Sequence, residues 1–129
     1  MMKITDIMTR NPVTIEGDKT VREAVHLMAE TKLGSLMVCQ DNEIVGILEE
    51  GDLIRKVMAK DLNPNLTRVT EAMSVPLIID DQRSDDDASD MMKLHQVRHL
   101  AVSQDSQIVG IVSMFDLIRP VYLGRSFWG

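Results

Sequence analysis

The feature that most limits what this chain can fold into is that it is written twice. At an offset of 64 residues Pro12 maps onto Pro76, Ile15 onto Ile79, Ala24 onto Ala88, Met28 onto Met92 and Leu36 onto Leu100. The same offset takes Val38 to Val102, Asp41 to Asp105, Gly46 to Gly110 and Asp52 to Asp116. In the clearest block, Ile44–Arg55 against Ile108–Arg119, eight of twelve positions are identical. A register held over so many positions marks a tandem duplication, so both copies must form the same unit. Each copy has roughly 60 residues, which is marginal for an independent core. Two copies sharing a core would leave two symmetry-related clefts, and clefts between units are common ligand sites.

Within the first copy the periodicity changes in a readable order. Ile4, Ile7 and Met8 have helical spacing, and the stretch from Lys3 to Arg10 is expected to be a short helix or turn that stops at Asn11-Pro12. Val13-Thr14-Ile15 reads as a brief strand and Glu16-Gly17-Asp18 as a turn. Thr20-Val21-Arg22-Glu23 has capping-box spacing, and Val21, Ala24, Val25 and Met28 mark one face of the helix behind it. Leu36–Cys39 is expected to be a buried strand, Asp41-Asn42 a tight turn, and Ile44–Leu48 the antiparallel return. Leu53, Ile54, Val57 and Met58 mark a second helix, so the unit is β-α-β-β-α. Asp61 to Arg68 reads as a linker, after which Ser84 and Asp87 repeat the capping box. The expected fold is α+β: two β-α-β-β-α repeats packed sheet to sheet about a pseudo-two-fold axis, with residues 1–62 and 63–129 as the repeats.

Composition excludes several functions. The net charge of −6 argues against nucleic acid or an anionic membrane as the main partner, since either needs a basic patch. Neither a signal-peptide core nor an apolar run of about 18 residues is present, so a cytoplasmic location without a membrane span is expected. The single Cys39 forbids an internal disulfide and reads as a small buried hydrophobe. With aromatics at 3%, the core must rest on Ile, Leu, Val and the ten methionines.

Chemistry concentrates at Gly110-Ile111-Val112-Ser113-Met114-Phe115-Asp116, an apolar strand turning into a helix with a hydroxyl and a carboxylate three residues apart. Gly46–Asp52 is its earlier version. With Met8-Thr9-Arg10-Asn11-Pro12-Val13, the Thr20-Val21-Arg22-Glu23-Ala24 helix start and Val97-Arg98-His99-Leu100, these signatures resemble the cystathionine β-synthase (CBS) domain in its usual tandem pair, the Bateman module. The resemblance runs from about Met8 to Arg119, in register twice. It implies a stand-alone regulatory module that binds an adenosine-type ligand (AMP, ADP or ATP, with S-adenosylmethionine as an alternative) and requires no cofactor for chemistry. By the same resemblance Asp116 takes the ribose hydroxyls, Ser113 faces the ribose and phosphate, and Arg98 and His99 meet the phosphate. Ile111 and, from the other repeat's first strand, Pro12 and Val13 would flank the adenine. Physical chemistry agrees with these roles, since a helix start favours phosphate, a carboxylate accepts a cis-diol, and arginine offers a planar fork of donors.

The copies are not equivalent. Glu49 stands where the second copy has Ser113, and Leu33-Gly34-Ser35 where it has Val97-Arg98-His99. A Glu at the helix start, joined by Glu50, repels a phosphate in a partly desolvated cleft. One competent site, at the second signature, is therefore expected, and the other cleft is expected to be empty or to take an uncharged adenosine. Simpler readings stand beside this. Ser113-x-x-Asp116 is also an ordinary capping box. The acidic run Asp80-Asp81 and Asp85–Asp87 suits a helix start, with no EF-hand spacing for calcium. His95 and His99 have no Cys or carboxylate cluster to complete a metal site, and His26 is expected at the side of the first long helix. No catalytic constellation is visible, because Ser113 and Asp116 share one helix turn and no Gly-x-Ser-x-Gly elbow is present.

The chain is accordingly expected to be a non-enzymatic homodimer acting on an unknown regulated protein. The alternatives are a ligand-free dimerisation or docking module, and a redox or metal switch using Cys39 or the histidines. The apolar Phe127-Trp128 tail has three open roles, folding back, covering a dimer neighbour or docking on a partner, with packing preferred.

Overall fold

The computed structural model describes residues 1–118, so the Phe127-Trp128 tail lies outside the described residues. The expected α+β order appears in both repeats. The first has β2 (Thr14–Glu16), α2 (Val21–Thr31), β3 (Ser35–Gln40), β4 (Glu43–Glu49) and a helix α3 that starts at Glu50–Asp52 and continues over Leu53–Met58 with π-type bonding. The second has β5 (Ile78–Asp80), α5 (Asp85–His95), β6 (His99–Gln104), β7 (Gln107–Ser113) and a helix over 114–118. Each repeat is preceded by a short lead-in helix, α1 (Ile4–Ile7) or α4 (Val69–Ala72), and the first lead-in adds a strand, β1 (Thr9–Arg10).

Local chemistry explains the elements. Glu23 N–H donates to Thr20 Oγ1 at 3.2 Å while Thr20 N–H donates to Glu23 Oε2 at 2.8 Å. The Ser84–Asp87 pair repeats both bonds at 3.1 and 3.2 Å, so α2 and α5 begin on full capping boxes. Both hairpins turn through two consecutive residues at positive φ, Asp41-Asn42 (51° and 65°) and Asp105-Ser106 (50° and 66°), which matches the right-handed twist of the flanking strands. On α2 the expected apolar face is narrower than its spacing suggested: Val21, Ala24 and Met28 are buried, while Val25 is exposed.

The repeats of the sequence and the compact units of the structure do not coincide. One unit joins Met1–Pro12 to Leu77 onward, and the other is Val13–Pro76. Each lead-in therefore belongs with the body of the other copy. In the first unit β1 pairs antiparallel with β7, Thr9 opposite Ile111 and Arg10 opposite Gly110, giving a sheet of order β1-β7-β6-β5. In the second unit β2-β3-β4 form a sheet, and Ser74 bridges Ile47. Each unit has its own core. Ile15, Val21, Ala24, Met28, Leu36, Val38 and Leu48 build one with Val57, Val69 and Ala72. Ile79, Ala88, Met92, Leu100, Val102 and Val112 build the other with Ile4.

This exchange explains the glycine that opens each signature. A Cβ on Gly110 would lie 2.6 Å from the backbone oxygen of Thr9, and one on Gly46 would lie 2.9 Å from Cγ of Met73. The glycines let a lead-in cross the last strand of the hairpin at close range. The crossing also places Met73-Ser74 where the other unit has Met8-Thr9, an offset of 65 rather than 64, so one residue is lost before Pro76.

The segment expected to be a plain linker is tied down. Val21 N–H donates to Thr67 O at 2.7 Å and Arg22 N–H to Pro64 O at 3.0 Å, so linker carbonyls satisfy two of the orphan amides at the start of α2. Thr67 is buried, with its hydroxyl donating to Asn63 O at 2.8 Å.

Candidate functional site

Antiparallel pairing assembles most of the expected site in one unit. His99 lies opposite Ser113 and Ala101 opposite Ile111, and directly paired residues share a sheet face. His99, Ile111 and Ser113 thus line the face opposite the buried Leu100 and Val112. Arg98 is exposed just before β6, and its carbonyl accepts the amide of Met114 at 2.8 Å, which fixes it beside the start of the 114–118 helix. Asp116 lies on the first turn of that helix. Pro12 follows β1 through Asn11, whose φ of 51° turns the chain after the strand, and is half-buried. Val13 belongs to the other unit, where its carbonyl accepts Met37 N–H at 3.0 Å.

The capping reading of Ser113-x-x-Asp116 is realised in full. Asp116 Oδ2 accepts Ser113 N–H at 2.8 Å and the Ser113 hydroxyl at 3.0 Å, while Asp116 N–H donates to Ser113 Oγ at 3.2 Å. The two bonds that the carboxylate accepts both fall on Oδ2. Among the described residues, the other oxygen of Asp116 accepts no bond from a side chain. A carboxylate oriented by its cap and open on one side is suited to accept hydroxyl donors from a ligand.

The first-repeat signature differs in this respect. Asp52 Oδ2 accepts Glu49 N–H at 2.9 Å, the same cap. Its Oδ1 receives the Ser74 hydroxyl at 2.8 Å and the Lys56 ammonium at 3.1 Å. Lys56 Nζ also donates to Ser74 Oγ at 2.8 Å and to Met73 O at 3.2 Å. Asp52 is 4% exposed. Glu50 N–H donates to Gly34 O at 3.2 Å, matching Met114 on Arg98, but here no basic side chain follows. The Glu50 carboxylate lies 3.3 Å from where a Cβ on Gly34 would be.

Lys56 and Ser74 are the residues that reading the sequence missed. The Asp52-x-x-x-Lys56 spacing is a readable i,i+4 ion-pair signal. Ser74, by contrast, comes from a lead-in whose docking no local pattern reveals.

The remaining candidates separate cleanly. Burial, and then the adjacent Glu16, push the Cys39 thiol above its ordinary value of 9.0, so it stays protonated near neutral pH and is a poor redox centre. Among the described residues no group of three or more His, Cys, Asp or Glu could hold a metal ion, and no helix is long and apolar enough to cross a membrane. His26 lies on the wall of a groove of about 220 Å³ between α2 and α3, with Val21, Val25, Leu53, Val57 and Met58.

The family model described as the CBS domain matches twice, over residues 4–59 and 63–122. The chain is 31% identical over 118 residues to the CBS domain-containing protein YhcV of Bacillus subtilis, covering 91% of this chain and 84% of that one. Among solved structures it resembles a CBS domain protein of unknown function from Thermoplasma acidophilum, with a TM-score of 0.86 at 29% identity, covering 92% of this chain and 68% of the other. It also resembles a hexameric CBS-CP12 protein from bloom-forming cyanobacteria, with a TM-score of 0.83 at 31% identity, covering 98% and 75%.

Proposed function

This chain belongs to the CBS-domain family, and on that footing we propose that it is a cytoplasmic, non-catalytic regulatory module that binds an adenine nucleotide at the second-repeat signature. The observation that carries this reading is the state of Asp116. One oxygen is engaged in the cap with Ser113, and among the described residues no side chain bonds the other. Around it, Ser113 and His99 share a strand pair, Arg98 adjoins the helix start, and Ile111 offers an apolar contact on the same face. In this reading Asp116 accepts the ribose hydroxyls, Arg98 and His99 meet the phosphates, and Ile111 and Pro12 lie toward the adenine. Val13 keeps the adenine-flanking role that the family resemblance gives it. Regulation follows if the ligand binds one conformation better than another, shifting the population a partner protein sees.

Isothermal titration with AMP, ADP, ATP and S-adenosylmethionine tests the reading. Binding of at least one, lost in a folded Asp116→Ala protein, is the expected result; equal binding by wild type and variant would sink the assignment.

A second reading, self-association, is favoured by a different observation. Ile54 and Met58, four residues apart on α3, are 62% and 70% exposed, and Met58 also lines the α2–α3 groove, so this helix offers apolar side chains to a second copy. The hexameric relative is consistent with an assembling fold. A homodimer that also binds nucleotide satisfies both readings. If none of the four ligands binds, the assembly itself becomes the function, and sedimentation of Met58→Glu against wild type measures it.

A further inference from the structure

We propose that Lys56 is a built-in occupant of the first-repeat signature: it closes that site to adenosine ligands and turns it into a clasp for the lead-in of the second repeat. The inference rests on the nucleotide reading for what is excluded, but the clasp stands on its own geometry.

Two groups meet the one oxygen of Asp52 that the cap leaves over. The Ser74 hydroxyl at 2.8 Å is the kind of donor that a ribose would offer, and the Lys56 ammonium at 3.1 Å neutralises the charge. Lys56 then closes the triangle on Ser74 Oγ and adds the Met73 carbonyl. A ligand hydroxyl would have to displace a cation and a hydroxyl already bonded to the carboxylate oxygen, and Asp52 itself is nearly inaccessible. What the triangle holds is the lead-in. Ile47 N–H donates to Ser74 O at 2.9 Å and Ser74 N–H to Ile47 O at 2.8 Å, so Ser74 is fixed by backbone on one side and by Asp52 and Lys56 on the other.

The second copy lacks the decisive group. By strand register the counterpart of Ser74 opposite Ile47 is Thr9 opposite Ile111, also a hydroxyl residue, and among the described residues no hydrogen bond joins Thr9 to Asp116. The counterpart of Lys56 at the offset of 64 is Pro120, which carries no ammonium. The open and closed signatures therefore differ at this position as well as at Glu49, and a site would need both changes to reopen fully for a phosphate-bearing ligand. An uncharged adenosine needs only the clasp removed.

The test uses Lys56→Met with Asp116→Ala, so that the second site is silent, and adenosine as the probe. A gain in adenosine affinity of about tenfold or more over Asp116→Ala alone is expected, the effect of removing one charge-assisted competitor. Lys56→Arg in the same background, which keeps the cation, should stay closed. A folded Lys56→Met/Asp116→Ala protein that binds adenosine no better than Asp116→Ala, with amide exchange at Ser74 and Ile47 unchanged, overturns the proposal. Faster exchange at those two amides in Lys56→Met alone supports the clasp even if wild type binds no adenosine ligand, an outcome that would defeat only the nucleotide reading. Should Lys56→Met fail to fold, Lys56→Gln carries the same two measurements with an uncharged side chain that keeps polar contact.

Discussion

Asp52 and Asp116 occupy the same position in two copies of one motif, and one oxygen of each does the same work. Asp52 caps its helix through Glu49 N–H at 2.9 Å, and Asp116 through Ser113 N–H at 2.8 Å. The second oxygen separates them. In the first copy it is bound by Lys56 and Ser74; in the second no described side chain reaches it. A retained carboxylate is thus not a retained site. The cap explains why both copies keep the residue, and the second oxygen decides whether a ligand can use it.

The largest expected effect is on ligand binding. Asp116→Ala should weaken adenine-nucleotide binding about 10- to 100-fold, the worth of hydrogen bonds to a charged acceptor, when measured by calorimetry. Asp52→Ala should leave that affinity within about twofold, because among the described residues the two carboxylates share no hydrogen-bond partner. On stability the order reverses. Asp52→Ala takes the charged acceptor from the Lys56 ammonium and the Ser74 hydroxyl, and should cost about 2 kcal/mol by chemical denaturation. This is below the value for a fully buried pair, since the Lys56 side chain is 35% exposed. Asp116→Ala removes only a cap and should cost about 1 kcal/mol. Equal destabilisation by the two would erase the distinction between clasp and open site.

The two glycines offer a smaller contrast. Alanine at Gly110 meets the backbone of Thr9, which can yield only by moving β1, so a loss of about 1–3 kcal/mol in denaturant is expected. Alanine at Gly46 meets the flexible Met73 side chain and should cost less. Smallest of all is the difference between the capping carboxylates. The Thr20 amide, followed by lesser effects of Lys19, holds Glu23 below its ordinary 4.5; the Ser84 amide, then Arg83, holds Asp87 below 3.8. A depressed carboxylate contributes stability that is complete above its unfolded value and is lost as pH falls through the folded one. The α2 and α5 caps should therefore be intact at neutral pH and weaken only in acid, below 4.5 and 3.8 in turn. Carboxylate NMR titration should show both midpoints depressed, and Thr20→Ala or Ser84→Ala, which keeps the amide and removes only the hydroxyl, should recover only the smaller part of its partner's shift.

What could be read in advance followed the range of the forces involved. The Thr20 and Ser84 boxes, the Asp41-Asn42 turn and the Leu36–Cys39 strand rest on neighbours a few residues away, and their local spacing was enough. Val25 misled because helical periodicity tells which residues share a face but not how wide a stripe the core covers. The exchange of lead-ins was illegible, since β1 pairs with a strand about a hundred residues away through backbone groups that every sequence carries. The same holds for the site. Ser113, His99 and Ile111 came together because a hairpin with a known turn fixes its register. The closure of Asp52 depends on Ser74, which arrives by that long-range exchange.

The central claim is that only the second signature takes a ligand, and amide chemical-shift mapping tests it most directly. Adding AMP to isotope-labelled wild-type protein should shift Ser113, Asp116, Arg98 and His99 and leave Glu49, Asp52 and Ser74 in place. Shifts centred on Asp52 and Ser74, or of equal size at both signatures, would contradict it.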